Sequence, residues 1–148
     1  MEAVRVATVG WVLAAASAFA AGSPHFDIQA TFVPAPNPKA EPAVAVLFTA
    51  KDPDVKINEI PAPRLKLDPA QSVLSVKASE SRKEPEMAPE NPRYLDITAP
   101  VRFPVGLGAA ATKGTHVVKG SVAYFYCSKR EGWCRKGTSE VEIPVLVR

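Results

Sequence analysis

Proline clusters divide this chain into short apolar runs. Its 148 residues include 15 prolines, most of which are grouped within residues 34–42, 61–63, 85–92 and 100–104. Proline interrupts a helix because its ring fixes φ and its nitrogen carries no hydrogen. No run between the clusters has a long helical periodicity. We therefore do not expect helices to dominate the fold.

The runs between the clusters alternate with the period of a β-strand. In His25–Phe32, every second side chain is apolar, which places one apolar row on a single face of an extended chain: Phe26, Ile28, Ala30 and Phe32. The same approach predicts strands at Ala43–Ala50, Val55–Ile60, Arg64–Leu67, Val73–Ala78, Tyr94–Thr98, Val101–Leu107, Thr115–Tyr126 and Ser139–Val147. Short strands of this kind, separated by turn residues, predict an all-β fold, an antiparallel β-sandwich.

The amino terminus has the pattern of a signal peptide. Arg5 precedes an apolar run, Val6–Ala16, and small residues occupy the positions before a cleavage site at Ala20. We predict that residues 1–20 are removed, which leaves residues 21–148 as a single periplasmic or secreted domain. An uncleaved membrane anchor is the alternative, although the apolar run is short for a membrane span. No membrane span is expected in the mature chain.

Several classes of function find no support in the residues. The net charge is +3, but basic residues are interleaved with acidic ones, so no nucleic-acid partner is expected. The histidines His25 and His116 lie far apart and have no metal-ligand spacing. The glycines Gly106 and Gly108 lack the strand and helix context of a dinucleotide site. We expect neither a metal nor a cofactor.

Both cysteines lie in one short stretch, Tyr124–Cys134, which reads YFYCSKREGWC. Export to an oxidising compartment favours a disulfide between Cys127 and Cys134. The strand pattern places the two cysteines at the ends of a hairpin loop, Ser128–Trp133, between the last two strands. A disulfide that closes so short a loop stabilises the fold by only about 2.5 kcal/mol, which is a small structural contribution.

The same stretch has features of a reactive site. Four basic residues in or after the loop favour a thiolate over a thiol: Lys129, Arg130, Arg135 and Lys136. Trp133 and the aromatic run Tyr124–Tyr126 are expected to shield the sulfurs until a partner docks. The residues alone leave two roles open for the cysteine pair, a structural disulfide and a redox centre.

Four segments carry a resemblance to a known family: AVAVLFTAKDPDVKIN, RYLDITAPVRFPV, SVAYFYCSKREGWC and SEVEIPVL. Through them, the run Ala43–Leu146 resembles the amino-terminal periplasmic domain of DsbD-type thiol:disulfide interchange proteins, a disulfide bond corrector-like domain. The element Gly132-Trp133-Cys134, which follows a strand that ends in cysteine, is the most specific part. Val55–Asn58 stands where the family has tyrosines near its site.

The resemblance implies an immunoglobulin-like antiparallel β-sandwich with thiol:disulfide interchange activity of the protein-disulfide reductase type. It implies that Cys127 and Cys134 are the redox pair, that Cys134 forms the mixed disulfide and that Cys127 resolves it. The implied partners are thioredoxin-like or other periplasmic thiol proteins. Residues 79–93, whose charge and prolines predict a long exposed loop, include the place of the family's cap over the disulfide. The alternative is a non-catalytic envelope module, a binding or accessory domain with a structural hairpin disulfide.

Overall fold

The chain is all-β across residues 23–77 and 93–148, which are the residues that the computed structural model describes. Within them there is no helix, and the strands are β1 Phe26–Val33, β2 Ala43–Ala50, β3 Val55–Ile57, β4 Arg64–Leu67, β5 Leu74–Val76, β6 Val101–Leu107, β7 Gly114–Ser128 and β8 Trp133–Val147. All of their pairings are antiparallel, so the predicted all-β sandwich is confirmed. The predicted signal peptide, residues 1–20, lies outside the described residues, as does the predicted loop 79–93 except for Arg93.

The strands form two sheets. The first has the order β1-β2-β6-β5, and the second is built around β7. β8 pairs with β7 along its whole length, while β3 and β4 pair with two shorter stretches of β7, Tyr126–Ser128 and Gly120–Ala123. Because a strand has two edges, β3 and β4 share the edge of β7 that β8 does not use. β8 also lies close to β1, so the two sheets approach each other on that side.

Alternation places one apolar face of each sheet in a shared core. Buried residues occupy every second position in the outer strands of the two sheets: Phe26, Ile28 and Ala30 in β1, and Val141, Ile143 and Val145 in β8. Tyr124 meets Phe26 and Phe48 edge to face within this core, with ring centroids 6.0 and 5.5 Å apart. Aromatic contacts therefore join the first sheet to β7.

The hairpin of β7 and β8 is the longest feature of the described fold. Each strand has 15 residues, and the pairing runs without a break from Gly114↔Val147 to Ser128↔Trp133. The sequence predicted that the second strand begins only at Ser139. It begins earlier because backbone pairing with β7 continues through residues whose side chains have no apolar alternation. Both cysteines consequently lie inside the strand pairing.

One predicted strand, Tyr94–Thr98, was wrong. Tyr94 makes an isolated bridge to Asn58, and the chain then turns. The turn forms because the Asp96 carboxylate accepts hydrogen bonds from the backbone N–H and the hydroxyl of Thr98, at 3.0 and 2.6 Å. An aspartate that binds the backbone two residues further on offers the chain an alternative to strand pairing.

The close contact between Gly137 and Tyr124 generates a prediction about stability. The two residues are opposed in the hairpin, and a β-carbon at Gly137 would lie 2.7 Å from Cζ of the Tyr124 ring. Tyr124 is 1% exposed, so its ring has little room to move aside. We expect Gly137→Ala to lower the free energy of unfolding by about 1–3 kcal/mol, as measured by urea denaturation.

Gly106→Ala is the matched control, because the closest atom to its β-carbon would be the Ser75 hydroxyl oxygen at 3.0 Å, and that side chain can turn. We expect this variant to unfold close to the wild-type midpoint. An equal loss of stability in both variants would contradict the assignment of the effect to the Tyr124 ring.

Candidate functional site

A disulfide joins β7 to β8 near the tip of the hairpin. Cys127 and Cys134 are directly opposed in the register, and their sulfur atoms are 2.02 Å apart. Their Cα atoms are 4.0 Å apart, which matches the closer of the two spacings that alternate along an antiparallel pair. The predicted bond is present, but the cysteines lie within the paired strands and not at the ends of a loop.

The hairpin tip is a turn at residues 129–132, shorter than the predicted loop Ser128–Trp133. Gly132 has a φ of 71°, in the left-handed region where glycine avoids the clash of a β-carbon. Its N–H donates a hydrogen bond to the Ser128 carbonyl at 2.9 Å, which closes the turn. The pair Ser128↔Trp133 separates the turn from the disulfide.

The two sulfurs belong to residues of very different exposure. Cys127 is 3% exposed, whereas Cys134 is exposed. β7 has β3 on one side and β8 on the other at this level, so Cys127 lies on an inner strand. β8 pairs only with β7 among the described strands, which makes Cys134 a residue of an edge strand. Cys134 is therefore the more accessible residue of the pair.

Register defines which side chains surround the disulfide, because directly opposed residues point to the same face of a sheet. Lys56 of β3 opposes Cys127 and so shares the face of the sulfurs. Lys136 follows Cys134 by two residues on the same face, with its Nζ 5.9 Å from the centroid of the Phe125 ring. We call this surface, formed by the disulfide, Lys56, Phe125 and Lys136, the sulfur face.

Three of the four basic residues that were predicted to favour the thiolate contact other groups, and the Lys129 Nζ lies 5.8 Å from the centroid of the Tyr94 ring. The Arg130 Nε lies 3.9 Å from the Asp54 carboxylate. The Arg135 guanidinium lies over the Trp133 ring, 4.2 Å from its centroid, and Arg135 opposes Tyr126 on the face away from the sulfurs. The positive charge on the sulfur face comes from Lys136 and from Lys56 of β3, which was not among the basic residues predicted to act on the cysteines.

Most of the aromatic residues that were predicted to shield the sulfurs face the core. Trp133 and Tyr126 pack against His25, with ring centroids 5.5 and 5.4 Å from the imidazole. Tyr124 is buried in the core, as described above. Phe125 is the residue of this predicted set that shares the sulfur face. The aromatic contacts therefore hold the start of β1 against the core face of the hairpin, away from the sulfurs.

Asn58 lies beside the buried sulfur. Its exposure is 0%, and its Oδ1 lies 3.2 Å from Cys127 Sγ. Its backbone N–H donates to the Phe125 carbonyl at 2.8 Å, and it bridges to Tyr94 on its other side. Its Nδ2 has no hydrogen-bond partner in the part of the chain that the structure describes. No local pattern marks the contact, because Cys127 is 69 positions away, and only the resemblance placed Val55–Asn58 near the site of the family.

Asp54, in the turn between β2 and β3, holds the tip of the hairpin. Its carboxylate accepts hydrogen bonds from the Ser128 hydroxyl and, at 3.1 Å, from the backbone N–H of Arg130. The Ser128 oxygen in turn accepts the Glu131 N–H at 3.1 Å. The bond from Ser128 holds the pKa of Asp54 below its ordinary value of 3.8, and the N–H and charge of Arg130 act in the same direction against partial desolvation.

Comparisons with protein-family models, with curated proteins and with solved structures find no match. Residues 23–77 and 93–148 contain no group of three histidine, cysteine or acidic side chains that could hold a metal ion. No helix in these two ranges is long and apolar enough to cross a membrane. The candidate site is thus defined by the disulfide and the residues around it.

Because the disulfide is expected to contribute only a small part of the stability, we predict that the fold survives without it. Strand pairing continues on both sides of the bond, so the double variant Cys127→Ala/Cys134→Ala should keep the wild-type far-UV circular dichroism. We expect it to lose about 2.5 kcal/mol of unfolding free energy in urea denaturation. Chemical reduction of the wild-type protein is the control and should produce a similar loss. An unfolded double variant would show that the bond is required for folding.

Asp54→Asn is predicted to remove a pH-dependent contribution to stability. The lowered pKa means that the folded chain binds this proton less readily than the unfolded chain does. The contribution of Asp54 is therefore complete at neutral pH and is lost as the pH falls below 3.8. We expect the variant to melt at a lower temperature than wild type at neutral pH, and the difference to shrink as the pH falls through this range.

Thermal melts at a series of pH values provide this measurement. Glu142→Gln, at an exposed position of β8, controls for the loss of one carboxylate and should keep the wild-type pH profile. If Asp54→Asn and wild type declined in parallel with falling pH, the Asp54 contact would not be the source of the acid sensitivity.

Proposed function

We propose that this chain is an exported thiol:disulfide exchange domain that passes electrons to or from a thioredoxin-like partner through Cys127 and Cys134. The observation that carries the proposal is the unequal exposure of the pair, with Cys134 exposed on an edge strand and Cys127 3% exposed. Exchange requires one sulfur that a partner can attack and a second that is released and later resolves the mixed disulfide. The resemblance to DsbD-type amino-terminal domains implies the same division of roles.

A partner that carries two thiols can complete the exchange in two steps. A partner thiolate attacks Cys134 Sγ, the bond between the two sulfurs of this chain breaks, and Cys127 leaves with the electron pair as a thiolate. The second thiolate of the partner then attacks the partner sulfur of the mixed disulfide and releases Cys134. The partner ends as a disulfide, and this chain ends as a dithiol after taking up two protons from water. The reverse sequence oxidises the dithiol.

The charges on the sulfur face support this chemistry. Lys56 opposes Cys127, and Lys136 lies two residues beyond Cys134 on the same face. A nearby positive charge favours the thiolate form of a cysteine and so promotes both attack and departure. These lysines are solvent-exposed, so their effect is reduced by salt.

The small contribution of the disulfide to stability also supports exchange. The register already holds the two cysteines opposite each other. The bond therefore adds only the loop-closure entropy that it removes from the unfolded chain, about 2.5 kcal/mol. A partner can therefore open it without unfolding the sandwich. The location in the periplasm or outside the cell rests on the signal-peptide pattern of residues 1–20 and on the oxidising environment that disulfides require.

Trapping tests the exchange proposal directly. Cys127→Ser leaves the exposed Cys134 without its resolving thiol, so we expect it to retain a thioredoxin-like partner as a mixed disulfide that is visible on a non-reducing gel. Cys134→Ser is the matched control, because it leaves the buried Cys127 and should trap little or nothing. Equal trapping by the two variants would contradict the assigned roles.

The reduction potential of the pair separates exchange from the alternative predicted from the sequence, a non-catalytic envelope module with a structural disulfide. Equilibration of the wild-type protein with a glutathione buffer measures it. A value between about −120 and −270 mV is expected for an exchange domain, and a value below about −300 mV would sink the proposal and leave a structural bridge.

A further inference from the structure

We propose that Asn58 is the positioning residue that receives the Cys127 sulfur when the disulfide opens. The inference rests on the exchange function proposed above and assigns a role within it to a residue from outside the hairpin. Asn58 contacts the leaving sulfur and is buried, so it does not meet the partner protein and acts through Cys127.

In the oxidised chain, neither the Oδ1 nor the Nδ2 of Asn58 forms a hydrogen bond with Cys127. Asn58 Oδ1 lies 3.2 Å from Cys127 Sγ, but a disulfide sulfur carries no hydrogen to donate. Asn58 Nδ2 is buried and has no hydrogen-bond partner among residues 23–77 and 93–148. A fully buried amide normally has its hydrogen-bonding groups satisfied. Nδ2 gains an acceptor when the disulfide opens and Cys127 is a thiolate.

The amide of Asn58 suits both states of the released sulfur. The Cys127 thiol can donate its S–H to Oδ1 in the present orientation, and a half turn of the amide directs an Nδ2 hydrogen at the Cys127 thiolate. A hydrogen bond to the charged form favours that form, and a leaving thiol of lower pKa departs faster. The transient thiolate is thus stabilised where water does not reach it.

The backbone fixes Asn58 in this position. Its N–H is bonded to the Phe125 carbonyl at 2.8 Å, and its bridge to Tyr94 holds it from the other side. The charged groups that face the sulfurs are Lys56 on β3 and Lys136 on β8, both of which also favour the thiolate. Asn58 differs from them because it is buried and in direct contact with the leaving atom.

Two substitutions test the inference with a small dithiol, dithiothreitol, as the reductant. Asn58→Asp removes the N–H donor and adds a negative charge, and Asn58→Ser keeps a shorter hydroxyl donor. We expect Asn58→Asp to slow reduction of the disulfide by on the order of tenfold and Asn58→Ser to slow it less. In a Cys134→Ala background, Asn58→Asp should also raise the pKa of the Cys127 thiol, measured from thiolate absorbance. Asn37→Asp makes the same change in an exposed turn and is expected to alter neither quantity.

A measurement on the unsubstituted protein covers the case in which a variant fails to fold. In NMR spectra of the reduced protein, the side-chain amide protons of Asn58 should shift as Cys127 is titrated from thiol to thiolate, because Nδ2 gains an acceptor only in the thiolate form. Unchanged Asn58 amide signals, or an unchanged Cys127 pKa in a folded Asn58→Asp variant, would overturn the inference.

Failure of this inference is distinguishable from failure of the exchange proposal. Trapping and the potential of the wild-type pair test exchange, whereas the Cys127 pKa and the Asn58 signals require no protein partner. Successful trapping with an unchanged Cys127 pKa would remove Asn58 from the mechanism and leave the exchange function standing.

Discussion

The unbroken backbone pairing of β7 with β8 is the constraint on which the rest of the structure depends. Its register runs through 15 residues of each strand and sets Cys127 opposite Cys134. Because opposed residues share a face and successive residues alternate, one register assigns each hairpin side chain either to the core or to the sulfur face. A slip of one residue would turn Trp133 outward and separate the two sulfurs.

Contacts from outside the hairpin then hold its tip in place. On the core face, His25 packs against Trp133 and Tyr126. At the turn, the Asp54 carboxylate binds Ser128 and the Arg130 N–H. Since pairing, ring packing and hydrogen bonds already order the tip, the disulfide is left with a small share of its stability. The proposed exchange requires a bond of this kind, which can open while the fold persists.

The burial of Asn58 is easier to explain for a disulfide that opens than for a permanent structural disulfide. An asparagine amide that is 0% exposed and lacks a partner for Nδ2 among the described residues costs about 1–3 kcal/mol. An apolar residue would pack beside a permanent disulfide without that cost. The amide is explained if the neighbouring sulfur spends part of its time as a thiolate, which accepts a hydrogen bond from Nδ2.

The sequence by itself determined the strands and their faces. Alternation predicted β2, β4 and β6 with the bounds that the structure has, and it predicted the hairpin that carries both cysteines. It did so because a period of two is a local property of an extended chain. It failed at Tyr94–Thr98, where the side chain of Asp96 turns the backbone, and at the start of β8, where pairing continues without apolar alternation.

Only the tertiary structure decided what surrounds the disulfide. Lys56 shares the face of the sulfurs and Asn58 contacts Cys127 because β3 lies beside the end of β7, and Asp54 binds the tip from the turn before β3. The order of strands in a sheet depends on how distant segments bury their apolar faces together, and no local pattern encodes it. The sequence could therefore identify the two cysteines, but the difference in their exposure and the amide beside one of them came from the packing of strands far apart in the chain.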